Sequence, residues 1–383
     1  MPVKFGTDGW RAVISEEFTF HNLRLVAQAI ADFVREEEPA DPSVVIGFDT
    51  RFLSDRYAAE LACVMAANDI RALLARADTP TPAISYAVAN RGATAGVMIT
   101  ASHNPPRYNG VKLKAAFGGS ASPAQHRRVE DFLESNVAGG REPRLMTIDE
   151  AIRKDRLIKF DPAWAYYEHL GTLVDLDIIH AGELRVVHDA MYGSGRRTIS
   201  EMLNRTRTDV YNLRDEMNPG FGGIHPEPIA RHLTLLASVM QNGNRHAGLA
   251  TDGDADRIGA VDARGQFVDP HRIFGLILRY LLQKRGLRGR VVRSVSTTRM
   301  IDRIAREFDL PVVETPVGFN HIADLMIADN VVMGGEESGG MSIHGHIPEG
   351  DGVLMGLLLL EVMAEAHKPL HELVDDLLES YGP

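Results

Sequence analysis

Thr100-Ala101-Ser102-His103-Asn104-Pro105 is the stretch on which the reading of this chain turns. It follows the apolar run Gly96-Val97-Met98-Ile99, which reads as a buried strand. Pro105 and Pro106 lack a backbone donor and break the ladder after it. The Ser102 hydroxyl is therefore expected at the carboxyl end of a strand, where open α/β sheets place their ligands. His103 is its neighbour, and Lys112 follows within Gly110-Val111-Lys112-Leu113. Far downstream, Asp252-Gly253-Asp254-Ala255-Asp256-Arg257 also leaves an apolar strand, Ala247 to Ala250. Carboxylates at alternate positions point to a hard-cation site. A serine loop and an aspartate loop in one chain point to phosphoryl transfer with a divalent metal.

The bulk properties narrow the setting. The chain has 383 residues, 44% hydrophobic, 24% charged and 7% aromatic, an ordinary globular composition long enough for two or three domains. A net charge of −11 argues against a nucleic-acid partner or an anionic membrane surface. An anionic substrate then needs a locally basic site, for which Arg11, Lys112 and Arg257 are candidates. Cys63, the only cysteine, lies on an apolar helix face, so no internal disulfide forms and a reducing compartment fits. The N-terminal stretch from Met1 to Gly6 carries no apolar signal core, and runs such as Gly356 to Leu360 are too short to span a bilayer. A cytoplasmic location is expected.

Outward from the serine loop, strand and helix patterns alternate. Phe5-Gly6-Thr7-Asp8-Gly9-Trp10-Arg11 opens the chain as a Gly-rich loop that sets a fixed cation beside it. Val44 to Asp49 reads as a buried strand, and Ser54 as the cap of a helix from Asp55 to Asn68. Alternation of this kind predicts a mostly parallel sheet covered by helices. After a polar stretch with a helix over Pro123 to Leu133, a second unit runs from Phe160 to the aspartate loop. Its turn Gly193-Ser194-Gly195 is open to two readings, a phosphate cradle at a helix N-terminus or a purely structural turn. A third unit is expected to begin with a hairpin over Ile258 to Val268 and to expose Thr315-Pro316-Val317-Gly318-Phe319-Asn320 and Gly334 to Gly340. The plan is a weak internal repeat of three strand–helix units.

The chemistry has blander alternatives. The aspartate loop begins like a calcium-binding EF-hand, but that loop needs glycine sixth and glutamate twelfth, where this chain has Arg257 and Ala263. Three close carboxylates repel one another unless a cation offsets them, which favours Mg²⁺ shared with an anionic substrate. His103 can handle protons, and Lys112 can serve as a base if its pKa is lowered. Glu336 and Ser338, on a Gly-flanked loop, suit sugar hydroxyls, although the same stretch also reads as a polar turn.

Taken together the motifs resemble the α-D-phosphohexomutases, the phosphoglucomutase and phosphomannomutase superfamily. The resemblance rests on Phe5 to Arg11, Thr100 to Pro105, Asp252 to Arg257 and Gly335 to Gly339 in order, with Tyr108 to Lys112 and Pro226-Glu227-Pro228 between them. It implies an α/β chain of three consecutive α/β/α sandwich domains with mixed, mostly parallel sheets. These would span residues 1–152, 153–257 and 258–368. It implies that Ser102 carries a phosphoryl group, and that Asp252, Asp254, Asp256 and that phosphate hold one Mg²⁺. Arg11, His103 and Lys112 would supply charge and proton transfer. Arg257 would steady the phosphate, and Gly318, Phe319, Glu336 and Ser338 would bind the sugar. The implied reaction interconverts hexose 1-phosphate and hexose 6-phosphate, of glucose or mannose, through a 1,6-bisphosphate that also acts as activator. The partners implied are small sugar phosphates, with no nucleic acid or membrane; oligomeric state is not legible.

Two departures qualify this. Asn320 stands where many glucose-type members have lysine. The family's fourth domain, whose loop clamps the non-reacting phosphate, is not found before Pro383, so 369–383 reads as a linker toward it and weak turnover is expected. Arg293-Ser294-Val295-Ser296-Thr297-Thr298 resembles such a clamp but fits a structural strand better. The competing readings are a sugar-phosphate binder without catalysis and a metal-dependent phosphatase.

Overall fold

The computed structural model describes residues 3–6 and 9–382; Thr7 and Asp8 of the first motif lie outside the described residues, as does Pro383. Packing groups the chain into two units: one runs to Tyr166 and includes Asn218–Gly223, and the other holds Tyr167–Met217 and the chain from Ile224 onward.

The first unit contains β1 (Trp10–Val13), α1 (Phe20–Glu37), β2 (Ser43–Phe48), α2 (Ser54–Ala67), β3 (Arg71–Ala75), α3 (Thr81–Arg91), β4 (Ala95–Ile99), β5 (Tyr108–Ala115), α4 (Pro123–Ala138), α5 (Ile148–Arg153) and β6 (Leu157–Phe160). Its sheet has the order β1-β5-β4-β2-β3-β6. Strands β2, β3, β4 and β6 are parallel, and β5 and β1 add antiparallel pairs. Val44, Val45, Ile46, Val97, Met98 and Ile99 are fully buried, as near-continuous apolar runs in a helix-covered parallel sheet should be. Helices α1 and α4 start at side-chain caps: at α1 Thr19 accepts from Asn22 N, and at α4 Ser122 and Gln125 form a reciprocal capping box. Because β6 pairs with β3, this sheet continues past the boundary expected at residue 152.

After α6 (Ala163–Leu173), the second unit continues with α7 (Leu176–Gly182), β7 (Arg185–Asp189), α8 (Thr198–Met202), β8 (Asp209–Leu213), α9 (Thr234–Asn242), β9 (Ala247–Thr251), β10 (Ile258–Asp262) and β11 (Phe267–Val268). It ends with α10 (Pro270–Gln283), β12 (Arg290–Ser294), α11 (Met300–Glu307), β13 (Val312–Thr315), α12 (Phe319–Ala328), β14 (Val331–Gly335), β15 (Met341–Ile343), α13 (Gly352–Ala366) and α14 (Leu370–Tyr381). Its two sheets have the orders β11-β10-β9-β7-β8 and β13-β12-β14-β15. The fold is thus three α/β/α layers on mixed, mostly parallel sheets. Helix α13, buried on nearly all sides, packs against elements of both sheets here, as an all-round apolar helix must.

Two expectations are corrected. The hairpin over Ile258–Val268 does not open a third unit; β10 pairs antiparallel with β9 along Ile258–Asp262 and completes the second sheet. Pairing across the aspartate turn satisfies the β9 backbone locally, which a sequence boundary drawn at the motif overlooks. The stretch read as a linker from 369 holds, as its amphipathic pattern over 370–378 predicts, a helix: α14 buries Leu370, Leu373, Val374 and Leu377 and packs on α10 and α11, so it belongs to the second unit. That i, i+3, i+4, i+7 spacing is an amphipathic stripe.

The internal repeat is sharper than the sequence suggested. The orders β5-β4-β2-β3, β10-β9-β7-β8 and β15-β14-β12-β13 are one pattern used three times. Each has three parallel strands, with an antiparallel fourth beside the third. The serine loop, the aspartate loop and the Glu336–Ser338 loop all join the third strand to the fourth. The three candidate loops therefore occupy one topological position in each repeat.

Candidate active site

In the first unit, β4 delivers Ser102, which is buried and has φ +51°, in the left-handed region. Its N–H donates to Thr100 Oγ1 at 2.8 Å, and its Oγ lies 3.4 Å from His103 Nδ1. Arg11, on β1 opposite Gly110 of β5, donates from Nη1 to Asn104 Oδ1 at 2.8 Å, which draws the expected cation onto the serine loop. Lys112 lies fully buried on β5, opposite Met98 of β4.

Beneath the loop is a group that motif reading passed over. Asp49, Thr50 and Arg51 follow β2, and all are buried. Asp49 accepts from Thr100 Oγ1 at 2.6 Å, from Ser54 Oγ at 2.8 Å and from Arg51 N at 2.9 Å. Ser54 is therefore not the helix cap expected of it: Leu53 holds that position, and the Ser54 hydroxyl serves Asp49. The signal was present as an Asp-Thr-Arg triplet at a strand's end, but its partners are some fifty residues away in sequence.

In the second unit, Asp252 and Asp254 are fully buried and Asp256 nearly so, with one carboxylate oxygen of each within 4.8 Å of the others. Ala255 turns the loop in the left-handed region, and Arg257 N donates to Asp252 Oδ1 at 3.2 Å. An all-oxygen set of three carboxylates fits a hard divalent cation. The guanidinium of Arg257 stands 3.9 Å from Asp256. Burial alone would lower its pKa; Asp256, Asp252, Asp254 and Glu336 more than reverse this and hold it above the ordinary value.

The sugar-loop candidates gather beside this loop. Arg257 bridges Gly340 in antiparallel fashion, and Ile258 N donates to Gly339 O at 3.3 Å. A Cβ built on Gly340 would stand 3.7 Å from Phe319 and 3.9 Å from both Glu336 and Ser338, so these three side chains converge. Gly318, at φ +127°, caps α12 and donates its N–H to Glu336 Oε1 at 2.7 Å. Burial, joined by Glu337 and Asp256, raises the Glu336 pKa against the opposing pull of Gly318 N–H and Arg257. Asn320, in the position where lysine was anticipated, is buried.

The loop after the first strand props the functional loop in every repeat. Thr100 leans on Asp49 in the first. In the second, Ser194 N donates to Gly253 O at 3.0 Å, and a Cβ on Gly193 would meet Asp252 O at 2.6 Å. The Gly-Ser-Gly turn thus packs on the aspartate loop, favouring the structural reading. In the third, Ser294 Oγ donates to Glu337 Oε2 at 2.7 Å. Arg293 is held by Asp302 and Glu314, with Nε to Asp302 at 2.7 Å, so the Arg293–Thr298 stretch is structural as expected.

The chain matches the phosphoglucomutase/phosphomannomutase α/β/α domains I, II and III over residues 2–138, 164–265 and 269–381. It is 29% identical to the phosphoglucomutase/phosphomannomutase of Thermococcus kodakarensis, across 98% of this chain and 80% of that protein. It is 32% identical to the phosphoglucosamine mutase of Carboxydothermus hydrogenoformans, across 97% and 82%. Phosphoglucosamine mutases recur among its relatives. The crystal structure of a putative phosphomannomutase from Thermus thermophilus superposes with a TM-score of 0.93 at 35% identity, covering 100% of this chain and 84% of that one. With three domains matched in order, the chain belongs to the phosphoglucomutase/phosphomannomutase family of α-D-phosphohexomutases.

Proposed function

We propose that this protein interconverts a hexose 1-phosphate and the corresponding hexose 6-phosphate, with Ser102 as the phosphoryl carrier. The observation that carries the reading is the buried triad of Asp252, Asp254 and Asp256, with Arg257 as its cation, in a chain that also holds Ser102 in a left-handed turn. The triad would hold one Mg²⁺, which when bound supplies charge neutralisation for the transferring phosphoryl group.

In the forward direction the P–O bond to Ser102 Oγ breaks as a new one forms to the free hydroxyl of the sugar phosphate, giving a hexose 1,6-bisphosphate. The hydroxyl proton passes to His103 or Lys112, a proton is returned to the Ser102 Oγ that leaves, and the Arg11 guanidinium offsets phosphate charge. Return of the other phosphoryl group to Ser102 Oγ restores the carrier, so added bisphosphate acts as activator. Glu336 and Ser338 would orient the sugar, with Gly318 and Phe319 shaping the neighbouring wall; Arg257 would steady the phosphate. Glucose and mannose phosphates are the sugars we first expect; the relatives favour glucosamine phosphate as the second reading. Cys63, its thiol pushed up to about 11 by burial and Glu60, suits a reducing cytoplasm.

The test is conversion of glucose, mannose and glucosamine 1-phosphates with Mg²⁺ and a trace of the matching bisphosphate. Turnover that disappears in Ser102→Ala is the expected result, and the best sugar settles the substrate. Release of inorganic phosphate from the bisphosphate without isomerisation would replace this reading with a phosphatase. Tight binding of all three sugars without turnover would replace it with a binding protein.

A further inference from the structure

Ser102, at φ +51°, occupies the left-handed backbone region that a residue with a Cβ enters only at a cost, and such a conformation persists where its surroundings over-determine it. One side chain reaches several carbonyls of this loop at once. Arg51 is fully buried, and its guanidinium is directed into the serine loop's backbone. Nη2 donates to Ser102 O at 2.6 Å and Asn104 O at 2.7 Å, and Nη1 donates to Pro105 O at 2.9 Å and Tyr108 O at 3.0 Å. Nε pairs with Asp49 Oδ2 at 3.1 Å, and the guanidinium carbon sits 5.0 Å from the ring centroid of buried Phe221.

The arrangement closes on itself. Asp49, anchored by Arg51, accepts from Thr100 Oγ1, which in turn accepts from Ser102 N–H. Ser102 is therefore held from both sides of its own residue: its carbonyl by Arg51 directly, its amide by Thr100. A planar fork with donors in fixed directions can span several carbonyls at once, whereas the compact ammonium of lysine cannot.

We propose that Arg51, acting with Asp49 and Thr100, is the positioning residue that aims Ser102 Oγ for phosphoryl transfer. The proposal rests on the reading of Ser102 as the carrier. Misplacing a reacting atom by about 1 Å costs on the order of 100-fold in rate, so the effect belongs in kcat and not in substrate affinity.

Arg51→Lys, Thr100→Val and the conservative Thr100→Ser test this in the full chain, assayed below each variant's melting temperature. Arg51→Lys and Thr100→Val are expected to lower kcat on the order of 100-fold with KM within about threefold, while Thr100→Ser stays near wild type. Amides of the 101–108 segment should exchange with solvent at least roughly tenfold faster in Arg51→Lys. Should Arg51→Lys not fold, Thr100→Val carries the test. Wild-type kcat in Arg51→Lys or Thr100→Val, even with a lowered melting temperature, would reduce the clamp to a stabilising role and overturn the proposal; so would a change confined to KM. If the wild type itself neither turns over nor takes up phosphate from glucose 1,6-bisphosphate, the functional reading falls. Hydrogen exchange then still decides whether Arg51 fixes the loop, and unchanged exchange in Arg51→Lys would sink that claim separately.

Discussion

The backbone N–H of Gly318 donates to Glu336 Oε1 at 2.7 Å, tying the loop after β13 to the loop after β14. One carboxylate thus both braces two loops and faces the point where Phe319 and Ser338 converge. Glu336→Gln keeps an acceptor for Gly318 but loses the charge. Hydrogen bonds to charged groups contribute about 1.5–3 kcal/mol, so KM for the hexose phosphate should rise roughly 10- to 100-fold while the melting temperature holds. An unchanged KM in steady-state assays would remove Glu336 from sugar recognition.

Gly193 lies under the aspartate loop, where a Cβ would stand 2.6 Å from Asp252 O and 2.8 Å from Gly253 O. Both are backbone atoms, so the loop itself must shift to make room. Gly193→Ala is expected to weaken Mn²⁺ binding by at least roughly tenfold, because the oxygen spacing that suits a hard cation is lost. Isothermal titration gives the answer, and wild-type affinity would show that the loop shifts without disturbing its carboxylates.

Asp254 is fully buried beside two further carboxylates. Like charges in close contact disfavour each other's ionised form, so removing one should relieve the metal-free protein. Asp254→Asn is expected to melt a few degrees higher than wild type in EDTA and to gain less from added Mg²⁺, since stabilisation by a ligand follows its affinity. Equal gains in thermal melts with and without Mg²⁺ would exclude Asp254 as a ligand.

Burial pushes the His188 imidazole down to about 4. The native side chain stays neutral where the unfolded one, with an ordinary value of about 6.5, takes up a proton. Its contribution to stability is therefore full above about pH 6.5 and is lost as pH falls toward 4, by as much as about 3 kcal/mol. His169, lowered to about 4 by burial and by its neighbour His346 against Asp351, acts in the same sense. Urea unfolding across this range should show a shallower loss in His188→Gln than in wild type; parallel pH profiles would place the acid sensitivity elsewhere.

The strands that carry the chemistry were legible because each is a short apolar run ending in an unusual polar loop. Gly96–Ile99 before Ser102 and Ala247–Ala250 before Asp252 both fall where β4 and β9 lie. The unit boundaries were not legible at Ile258 or at 369. There, the deciding partners are β9 for one segment and α10 and α11 for the other, and pairing is not written in local periodicity. Arg51 was passed over for a related reason: its partners, from Ser102 to Tyr108, lie more than fifty residues away.

The sequence by itself determined the chemical inventory: a serine, a carboxylate triad and a glutamate–serine loop, each at the end of a buried strand, together with the family to which they belong. Those features are local, because apolar runs, glycine turns and alternate carboxylates bear their meaning within a few residues. Only the tertiary structure decided that the three loops occupy one position in a thrice-used strand order, and that a buried arginine, a Gly-Ser-Gly turn and a serine hydroxyl prop them from below. Strand order and long-range hydrogen bonds arise from which surfaces meet once the core closes, and residues far apart in the chain acquire those roles only then.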